Sequence, residues 1–308
     1  MAGIEGAPQD RGGGRMLAEI LRLQPAIGKV LGVGGTLVAL GLVIHELSHQ
    51  ELTPLTLLAG SGFGFWAALI TSLMVEPVTD YFILRRLLGS GIETLAPLVH
   101  KQSLNALLFG YAGDSFFVGW LRRHVGNARS ALGLVCDMAI VSALINNVAA
   151  LGMLFLMWRP IQSLSGVRID GRALFLASTL VAVPLILMVI RRKKLPGAGL
   201  PVILAYKSLR TVIATILVAL TWHYAMPAVP LLSWLLLMTG RMIVSRLPIV
   251  PNKDLAFAGC AAIFLGPNDQ VVPVIAGIAL ITLGVQAAMI TLVPLFLMPR
   301  KTVPCVPA

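Results

Sequence analysis

Long stretches of this chain contain no charged residue, and they restrict its possible folds more than any other feature. Four of these stretches are long enough to cross a bilayer, at 52–75, 138–158, 173–190 and 271–298. A helix needs about 20 predominantly apolar residues to span the hydrocarbon core, with a range of roughly 17–25. Only 12% of the residues are charged, whereas soluble domains carry about a quarter. Because backbone groups in lipid must be paired within the segment, the sequence predicts an all-α membrane helical bundle.

The apolar segments predict a polytopic bundle of about eight transmembrane helices. They lie at 26–46, 54–75, 130–157, 172–190, 208–226, 229–246, 253–267 and 271–298. Together they form an integral membrane domain over 26–298, between a disordered tail at 1–25 and a short tail at 299–308. The seventh segment has only 14 uncharged residues, or about 21 Å of helix at 1.5 Å per residue. It is therefore either tilted or re-entrant.

The distribution of Lys and Arg predicts an orientation. If the N-terminus is cytoplasmic, 21 of the 24 basic residues face the cytoplasm, all except Arg159, Arg168 and Arg172. Cytoplasmic loops of membrane proteins carry such an excess. We therefore expect a multi-pass protein of the cell inner membrane with both termini in the cytoplasm. The net charge of +11 then reflects loops that face an anionic leaflet rather than binding to nucleic acid.

Two segments look broken rather than regular, at 81–125 and 247–267. In the first, the apolar pieces Ile92–Val99 and Leu104–Leu121 are interrupted by Gly, Pro and Lys. We predict re-entrant or in-plane helices there, buried against protein. In the second, two prolines precede Asn252, which can cap a new helix. Transporters often place such interruptions at the substrate site.

The residues His45-Glu46-Leu47-Ser48-His49 have the form H-E-x-x-H. On a helix the two histidines share a face, so they can bind one Zn²⁺ while Glu46 activates water. Intramembrane metalloproteases of the site-two class carry this motif together with a later Asp ligand. Asp254 is a loose candidate for that ligand, since no Gly follows it. The alternative is that this segment is the wet outer end of the first span.

Ionisable residues inside predicted spans are the next candidates. Asp137 lies two turns into the third span, and Arg241 lies near the end of the sixth. A charge at the bilayer centre costs roughly 2.5–3.5 kcal/mol on insertion scales and usually faces the bundle interior. Arg241 can instead snorkel to the interface, but Asp137 is too short to reach far.

Charges near the predicted cytoplasmic face could meet a phosphate head group. Asp114 precedes the pair Arg122-Arg123, and Arg pairs well with phosphate. Lys253 and Asp254 fall in the first turn of the helix that Asn252 would cap, and a helix N-terminus beside a Lys favours an anion. For Asp114 and the arginines, the alternative is an interfacial helix with positive-inside arginines. For Lys253 and Asp254, the alternative is a structural turn between spans. The three cysteines are scattered and no soluble catalytic motif occurs, so we expect neither a cofactor nor enzymatic activity.

Two segments carry a resemblance to a known family. LFGYAGDSFFVGWLRRHVG, followed by Cys136-Asp137, resembles the re-entrant region and third core span of the lysylphosphatidylglycerol synthase membrane domain, in the flippase-like superfamily. LPIVPNKDLAFAG resembles that family's Leu-Pro-x-x-Pro-Gly-Gly-Leu-Gly turn. The chain departs from the pattern at Asn252-Lys253, where the family has Gly-Gly, and it lacks the Arg before Asp137.

The resemblance covers roughly 30–300 in layout. It implies a protein that translocates or binds a membrane lipid or lipid-linked substrate, either anionic or isoprenoid-linked. It implies no synthase activity, since no aminoacyl-transfer domain follows the membrane domain. The substrate-binding candidates are Asp114, Arg122, Asp137, Arg241, Lys253 and Asp254. Two alternatives stay open, which are the zinc protease and a non-catalytic membrane partner or assembly factor.

Overall fold

A computed structural model describes residues 58, 60–107, 112–125, 128–157, 159, 186, 199–245, 253–265 and 271–296. All regular structure in these ranges is helical, as predicted. A short 3₁₀ turn at Ile92–Thr94 separates the first two of the eight α-helices whose ranges are described. These are α1 Phe63–Leu88, α2 Leu95–Leu107, α3 Ala112–Val125, α4 Ala128–Leu156, α5 Gly199–Ala225, α6 Leu231–Val244, α7 Lys253–Leu265 and α8 Val271–Phe296.

Four of the described helices are long and apolar enough to cross a membrane. These span-length helices are α1, α5, the Ala131–Leu156 part of α4 and the Val271–Pro294 part of α8. Helix α6 is apolar but has only 14 residues, or about 21 Å at 1.5 Å per residue. The predicted spans 26–46 and 172–190 lie outside the described residues, apart from Ile186.

Two span-length helices differ from the predicted spans in the same way. Helix α1 continues to Leu88, although the predicted span ended at residue 75, before Glu76. Helix α5 begins at Gly199, although the predicted span began at residue 208, after Lys207. In both cases charged side chains lie within the helix, and charged residues on neighbouring helices pair with them. The predicted boundaries were therefore wrong because the spans were ended at Glu76 and Lys207, charged residues that lie inside the helices.

Helices α1 and α5 pack antiparallel over nearly their whole length. Five contacts show this, because the residue number falls along α5 as it rises along α1. They are Gly64 against the Tyr224 ring, Glu76 with Arg210, Asp80 with Lys207, Phe82 stacked on Tyr206, and Leu87 against Gly199. The two helices therefore hold a single register from end to end.

In the segment 81–125, residues 81–88 belong to the long helix α1, and the remainder contains the short helices α2 and α3, as the interrupted pattern predicted. Helix α1 ends at Gly89, whose left-handed φ of 66° closes the helix through a hydrogen bond from its N–H to the Arg85 carbonyl oxygen. Such a φ favours glycine. Helix α2 then packs against α1, α3 and α8, and α3 packs against α4. The placement of α2 and α3 relative to the bilayer stays a prediction.

Two apolar clusters occupy opposite ends of the bundle, and a polar layer separates them. The first contains Phe65 and Leu69 of α1 together with Ala150, Trp222, Trp234, Phe257 and Ile275. The second contains Ile83 and Leu84 of α1 together with Leu98, Phe117, Met138 and Ile203. Along α1 the interval between the clusters holds Glu76 and Asp80, and along α5 it holds Lys207 and Arg210. This polar layer is where the structure concentrates its buried charge.

Candidate functional site

Two pairs of charged residues face each other across the α1–α5 interface. Glu76 and Asp80 are four residues apart on α1, and Lys207 and Arg210 are three apart on α5. Residues at these spacings share one face of a helix. Because the helices are antiparallel, Arg210 Nη2 lies 2.7 Å from Glu76 Oε2, and Lys207 Nζ lies 2.5 Å from Asp80 Oδ1.

Lys101 on α2 extends this arrangement to a third and a fourth helix. Its Nζ lies 3.1 Å from Asp80 Oδ2 and 3.1 Å from Asp114 Oδ1 on α3. It also lies 5.5 Å from the centroid of the Phe117 ring, within the range of a cation–π contact. Lys101 therefore links carboxylates on two different helices. We call these six residues the ionic network: Glu76, Asp80, Lys101, Asp114, Lys207 and Arg210.

Asn105 on α2 holds the first turn of α3 in place. Its Oδ1 accepts hydrogen bonds from the N–H groups of Gly113 at 2.7 Å and Asp114 at 3.3 Å. Its Nδ2 donates to Asp114 Oδ2 at 3.4 Å. The first N–H groups of a helix have no partner within the helix, so Asn105 supplies one from outside. This arrangement orients the Asp114 carboxylate toward Lys101.

Close approach of α2 and α3 depends on Gly113. A Cβ atom at this position would lie 1.8 Å from the carbonyl oxygen of Lys101. That oxygen is backbone and cannot move aside as a flexible side chain can. Glycine therefore lets the backbones approach closely enough for Asp114 to reach Lys101.

The members of the ionic network differ in how deeply they are buried. Asp80 and Lys207 are 1% and 2% exposed and Lys101 is 7% exposed, whereas the Asp114 side chain is 18% exposed. Removing an ion from water costs several kcal/mol, which is recovered only where partners are well placed. Three carboxylates and three cations give the ionic network a formal charge of zero. The most deeply buried carboxylate, Asp80, is also the one that accepts from two lysines.

The ionic network lies close to the middle of α1 and α5. Its members on these helices fall within about 8 Å of the helix midpoints along the axis, at 1.5 Å per residue. A further polar contact joins α4 to the layer, since the Thr211 hydroxyl lies 3.0 Å from Asn146 Oδ1 and 3.0 Å from the Lys207 carbonyl oxygen. The polar layer therefore reaches three of the span-length helices.

The charge on Lys101 is set by two opposing effects. Burial works to lower the pKa of its ammonium group, but the Asp80 and Asp114 carboxylates outweigh burial and raise the pKa above its ordinary value. Lys101 is therefore charged throughout the physiological pH range. The pKa of the neighbouring His100 shifts in the other direction, because burial lowers the pKa of its imidazole. Its ring packs on Phe116 with the ring centroids 4.8 Å apart.

Three of the predicted site residues take part in ion pairs. Asp114 belongs to the ionic network. Arg241 on α6 pairs with Asp254 on α7, with Nη2 at 2.5 Å and Nε at 2.7 Å from Asp254 Oδ1. Both side chains of this second pair are partly exposed. Arg241 therefore joins two helices that are consecutive in the chain.

The other three predicted site residues lie on three different helices. Arg122 is exposed near the end of α3, and Lys253 is exposed at the first residue of α7. Asp137 is buried on α4, next to Met138 of the second apolar cluster. The ion pairs given above do not include these residues. Their predicted role in binding substrate stays a prediction.

The residues of the predicted zinc motif, His45, Glu46 and His49, lie outside the described part of the chain. Within the described part, no group of three or more His, Cys, Asp or Glu side chains could hold a metal ion. The protease hypothesis therefore stays a prediction from the motif alone.

Sequence reasoning did not select five members of the ionic network: Glu76, Asp80, Lys101, Lys207 and Arg210. The basic members were predicted to face the cytoplasm, and the two acidic members lie just beyond the predicted second span, 54–75. A usable signal was nevertheless present in the spacing. The two acids lie four residues apart and follow an apolar run. The two bases lie three residues apart and precede one. At these spacings, each pair shares one face of a helix. Opposite charges at matching spacings predict that two helices pair.

Comparisons with protein-family models, with curated proteins and with solved structures find no match. The resemblance to the lysylphosphatidylglycerol synthase membrane domain therefore stays a prediction that depends on the two motif segments. The ionic network and the apolar helices are the observations from which function can be argued.

Proposed function

We propose that this chain is an integral membrane protein of the flippase-like type, which translocates or binds a lipid or lipid-linked substrate with a charged head group. The observation that carries the proposal is the ionic network, which lies near the middle of two helices long enough to cross a membrane. Ionisable residues at that depth usually face a bundle interior and mark substrate or ion pathways.

The composition of the polar layer favours a pathway over a purely structural contact. Apolar residues of similar volume often hold helices together as well as a buried ion pair does, or better. A protein that only needed to join α1, α2, α3 and α5 could therefore use apolar side chains. A polar layer through an otherwise apolar bundle instead offers hydrogen-bond donors and acceptors to a head group that crosses the bilayer.

The same helices present apolar side chains on their outer surfaces. On α5 these include Leu209, Val212 and Ile216, and on α1 they include Ile70 and Phe63. A lipid that crosses the bilayer can keep its acyl chains against such a surface while its head group passes through the polar layer. A substrate with both an apolar tail and a charged head suits this division.

The proposal includes the topology that the sequence predicts. It places about eight spans in the inner membrane with both termini in the cytoplasm. The end of α1 that carries the exposed Arg85 and Arg86 would then face the cytoplasm, in keeping with the positive-inside rule. Asp80 and Lys207 would lie on the cytoplasmic side of the bilayer centre.

Translocation in liposomes tests the proposed function. The purified chain would be reconstituted with fluorescent phosphatidylglycerol, phosphatidylcholine or an isoprenyl phosphate lipid, and transfer would be followed by reduction of the outer-leaflet fluorophore. We expect faster transfer of at least one lipid than in protein-free liposomes. The double variant Asp80→Asn with Lys207→Gln should lose this activity, because it removes the central ion pair without changing the net charge.

A control variant tests whether removing a charge outside the ionic network also changes transfer. Arg86→Gln changes an exposed residue at the end of α1 and should leave transfer unchanged. Thermal unfolding in detergent would confirm that each variant is folded. Transfer no faster than in protein-free liposomes for all three lipids, or full activity in the double variant, would show that the proposal is wrong.

A further inference from the structure

Asp114 occupies a position that a substrate anion can take. We propose that the Asp114 carboxylate is a built-in competitor for an anion site on Lys101, and that a singly charged phosphodiester replaces it there. This inference deepens the proposed function, and it rests on that function only in placing the phosphodiester on a lipid. The anion site itself is argued from charge, exposure and contacts.

The charge balance of the ionic network sets the charge of the ligand. Without Asp114, the remaining members are two carboxylates, both on α1, and three cations on α2 and α5. That set has one surplus positive charge, which Asp114 neutralises from α3. A ligand with one negative charge can therefore replace Asp114 and leave the balance intact. A doubly charged phosphate monoester would leave an uncompensated negative charge at a buried place, which is costly.

Asp114 is the carboxylate best placed to leave Lys101. Its side chain is 18% exposed and contacts a single cation in the ionic network, whereas Asp80 is 1% exposed and holds two lysines. It belongs to α3, which has 14 residues and is not one of the span-length helices. Its second hydrogen bond, from Asn105, is long at 3.4 Å. Release of Asp114 would leave the Asp80 pairs with Lys101 and Lys207 in place.

The groups that hold the Asp114 carboxylate can hold a phosphodiester in the same way. Lys101 Nζ donates to one carboxylate oxygen and Asn105 Nδ2 to the other. A phosphodiester also presents two oxygens that share one negative charge. The Lys101 ammonium is nine-tenths buried and charged, and the N-terminus of α3 lies beside it, where the helix dipole favours an anion.

Binding measurements on the full chain in detergent test the inference. The lipid probe is fluorescent phosphatidylglycerol, and its soluble counterpart is glycerophosphoglycerol, which has the same phosphodiester without acyl chains. We expect Asp114→Asn to bind the phosphodiester about tenfold more tightly than wild type, because a charge-assisted contact of about 1.5 kcal/mol no longer competes. Asp114→Glu keeps the competing charge and should stay within about twofold of wild type.

Three further variants make the test specific. Lys101→Gln should lose binding, and adding it to Asp114→Asn should abolish the gain. Glu93→Gln removes one negative charge from an exposed site and should leave binding unchanged. If Asp114→Asn does not fold, Asp114→Ser gives the same test, since serine is well tolerated near a helix N-terminus.

The outcomes distinguish this inference from the proposed function. Unchanged or weaker binding by folded Asp114→Asn and Asp114→Ser would overturn the anion site, even if the wild-type protein translocates lipid. Tighter binding without translocation would support the anion site and count against the flippase-like function. Equal binding of the soluble probe and the lipid would support a phosphodiester site and overturn its assignment to a lipid head group.

Discussion

At Gly113 the backbone of α3 closely approaches the backbone of α2. We predict that Gly113→Ala destabilises the protein by about 1–3 kcal/mol, the usual cost of forcing atoms into a packed place. The added Cβ would lie 1.8 Å from the Lys101 carbonyl oxygen, so the two helices must separate. Chemical denaturation in detergent would measure the free energy of unfolding.

Gly119 provides a matched control on the same helix. A Cβ added there meets nothing within 4 Å, and Ala is favoured over Gly within a helix by about 0.5–1 kcal/mol. Gly119→Ala should therefore be neutral or slightly stabilising. If both variants had the same stability, the close approach at Gly113 would not explain why glycine is present. Because Gly113 sits beside Asp114, its replacement should also weaken the contact between Asp114 and Lys101.

At the scale of helices, the sequence predicted some elements much better than others. The predicted third and eighth spans, 130–157 and 271–298, agree with α4 and α8 to within two residues at each end. These helices have long uncharged runs, so their limits can be found from composition. The limits of α1 and α5 were misplaced because Glu76 and Lys207 looked like span ends. These two residues, like Asp80 and Arg210, lie inside the helices. Only their pairing across the interface makes them compatible with a continuous helix.

The position of the candidate site could be predicted only in part. Asp114 was selected because an acid in a Gly-containing segment before two arginines is unusual in an apolar chain. Its partner Lys101 was predicted only to face the cytoplasm, since a single lysine between apolar pieces gives no sign of its partner. The pairing depends on how α2 and α3 pack, which in turn depends on Asn105 and Gly113. Such contacts between helices are not encoded in a hydropathy pattern.

The pair formed by Arg241 and Asp254 belongs to the scale of elements, because it joins α6 to α7. We predict that Arg241→Gln and Asp254→Asn each lower the free energy of unfolding. The double variant should lower it by less than the sum of the two single changes. Both side chains are about a quarter exposed, so the coupling free energy should be modest, about 1 kcal/mol. Unfolding free energies of the four proteins in detergent would measure it.

Two residues that do not contact each other provide a control for this double-mutant cycle. Arg86→Gln combined with Asp254→Asn also removes one cation and one carboxylate, but Arg86 is exposed at the end of α1. Those two changes should be additive within about 0.5 kcal/mol. Equal coupling in both cycles would mean that the measurement reports net charge and not the contact between α6 and α7.

At the scale of the whole molecule, the polar layer divides the apolar interior into two clusters. The role of the polar layer in lipid translocation can be tested separately from its contribution to stability. We predict that the quadruple variant Asp80→Leu, Lys101→Met, Asp114→Asn and Lys207→Leu is at least as stable as wild type. It removes two charges of each sign, and replacing buried ion pairs by apolar residues is often neutral or stabilising by about 1–4 kcal/mol. Thermal unfolding in detergent would provide the comparison.

The same variant should lose lipid translocation, because the head group would meet an apolar layer. Retained stability with lost transfer would support a transport role for the ionic network. A large fall in the unfolding temperature would instead assign the ionic network to holding the bundle together. Packing and interhelical polar contacts stabilise helix association in a bilayer, where the hydrophobic effect between helices is weak. After such a fall, the two apolar clusters would have to be judged too small to stabilise the bundle without the ionic network.

The antiparallel register of α1 and α5 has a consequence for how the protein is made. Glu76 and Arg210 are 134 residues apart in the chain, so α1 leaves the ribosome long before its partner is synthesised. Asp80 can pair with Lys101 soon after α1 emerges, but Arg210, the cation that Glu76 contacts, is not yet synthesised. A helix with an unpaired carboxylate near its centre enters a bilayer at a cost of roughly 2.5–3.5 kcal/mol. We therefore expect stable insertion of α1 to depend on the later arrival of α5, so that the bundle assembles only after both helices have been made.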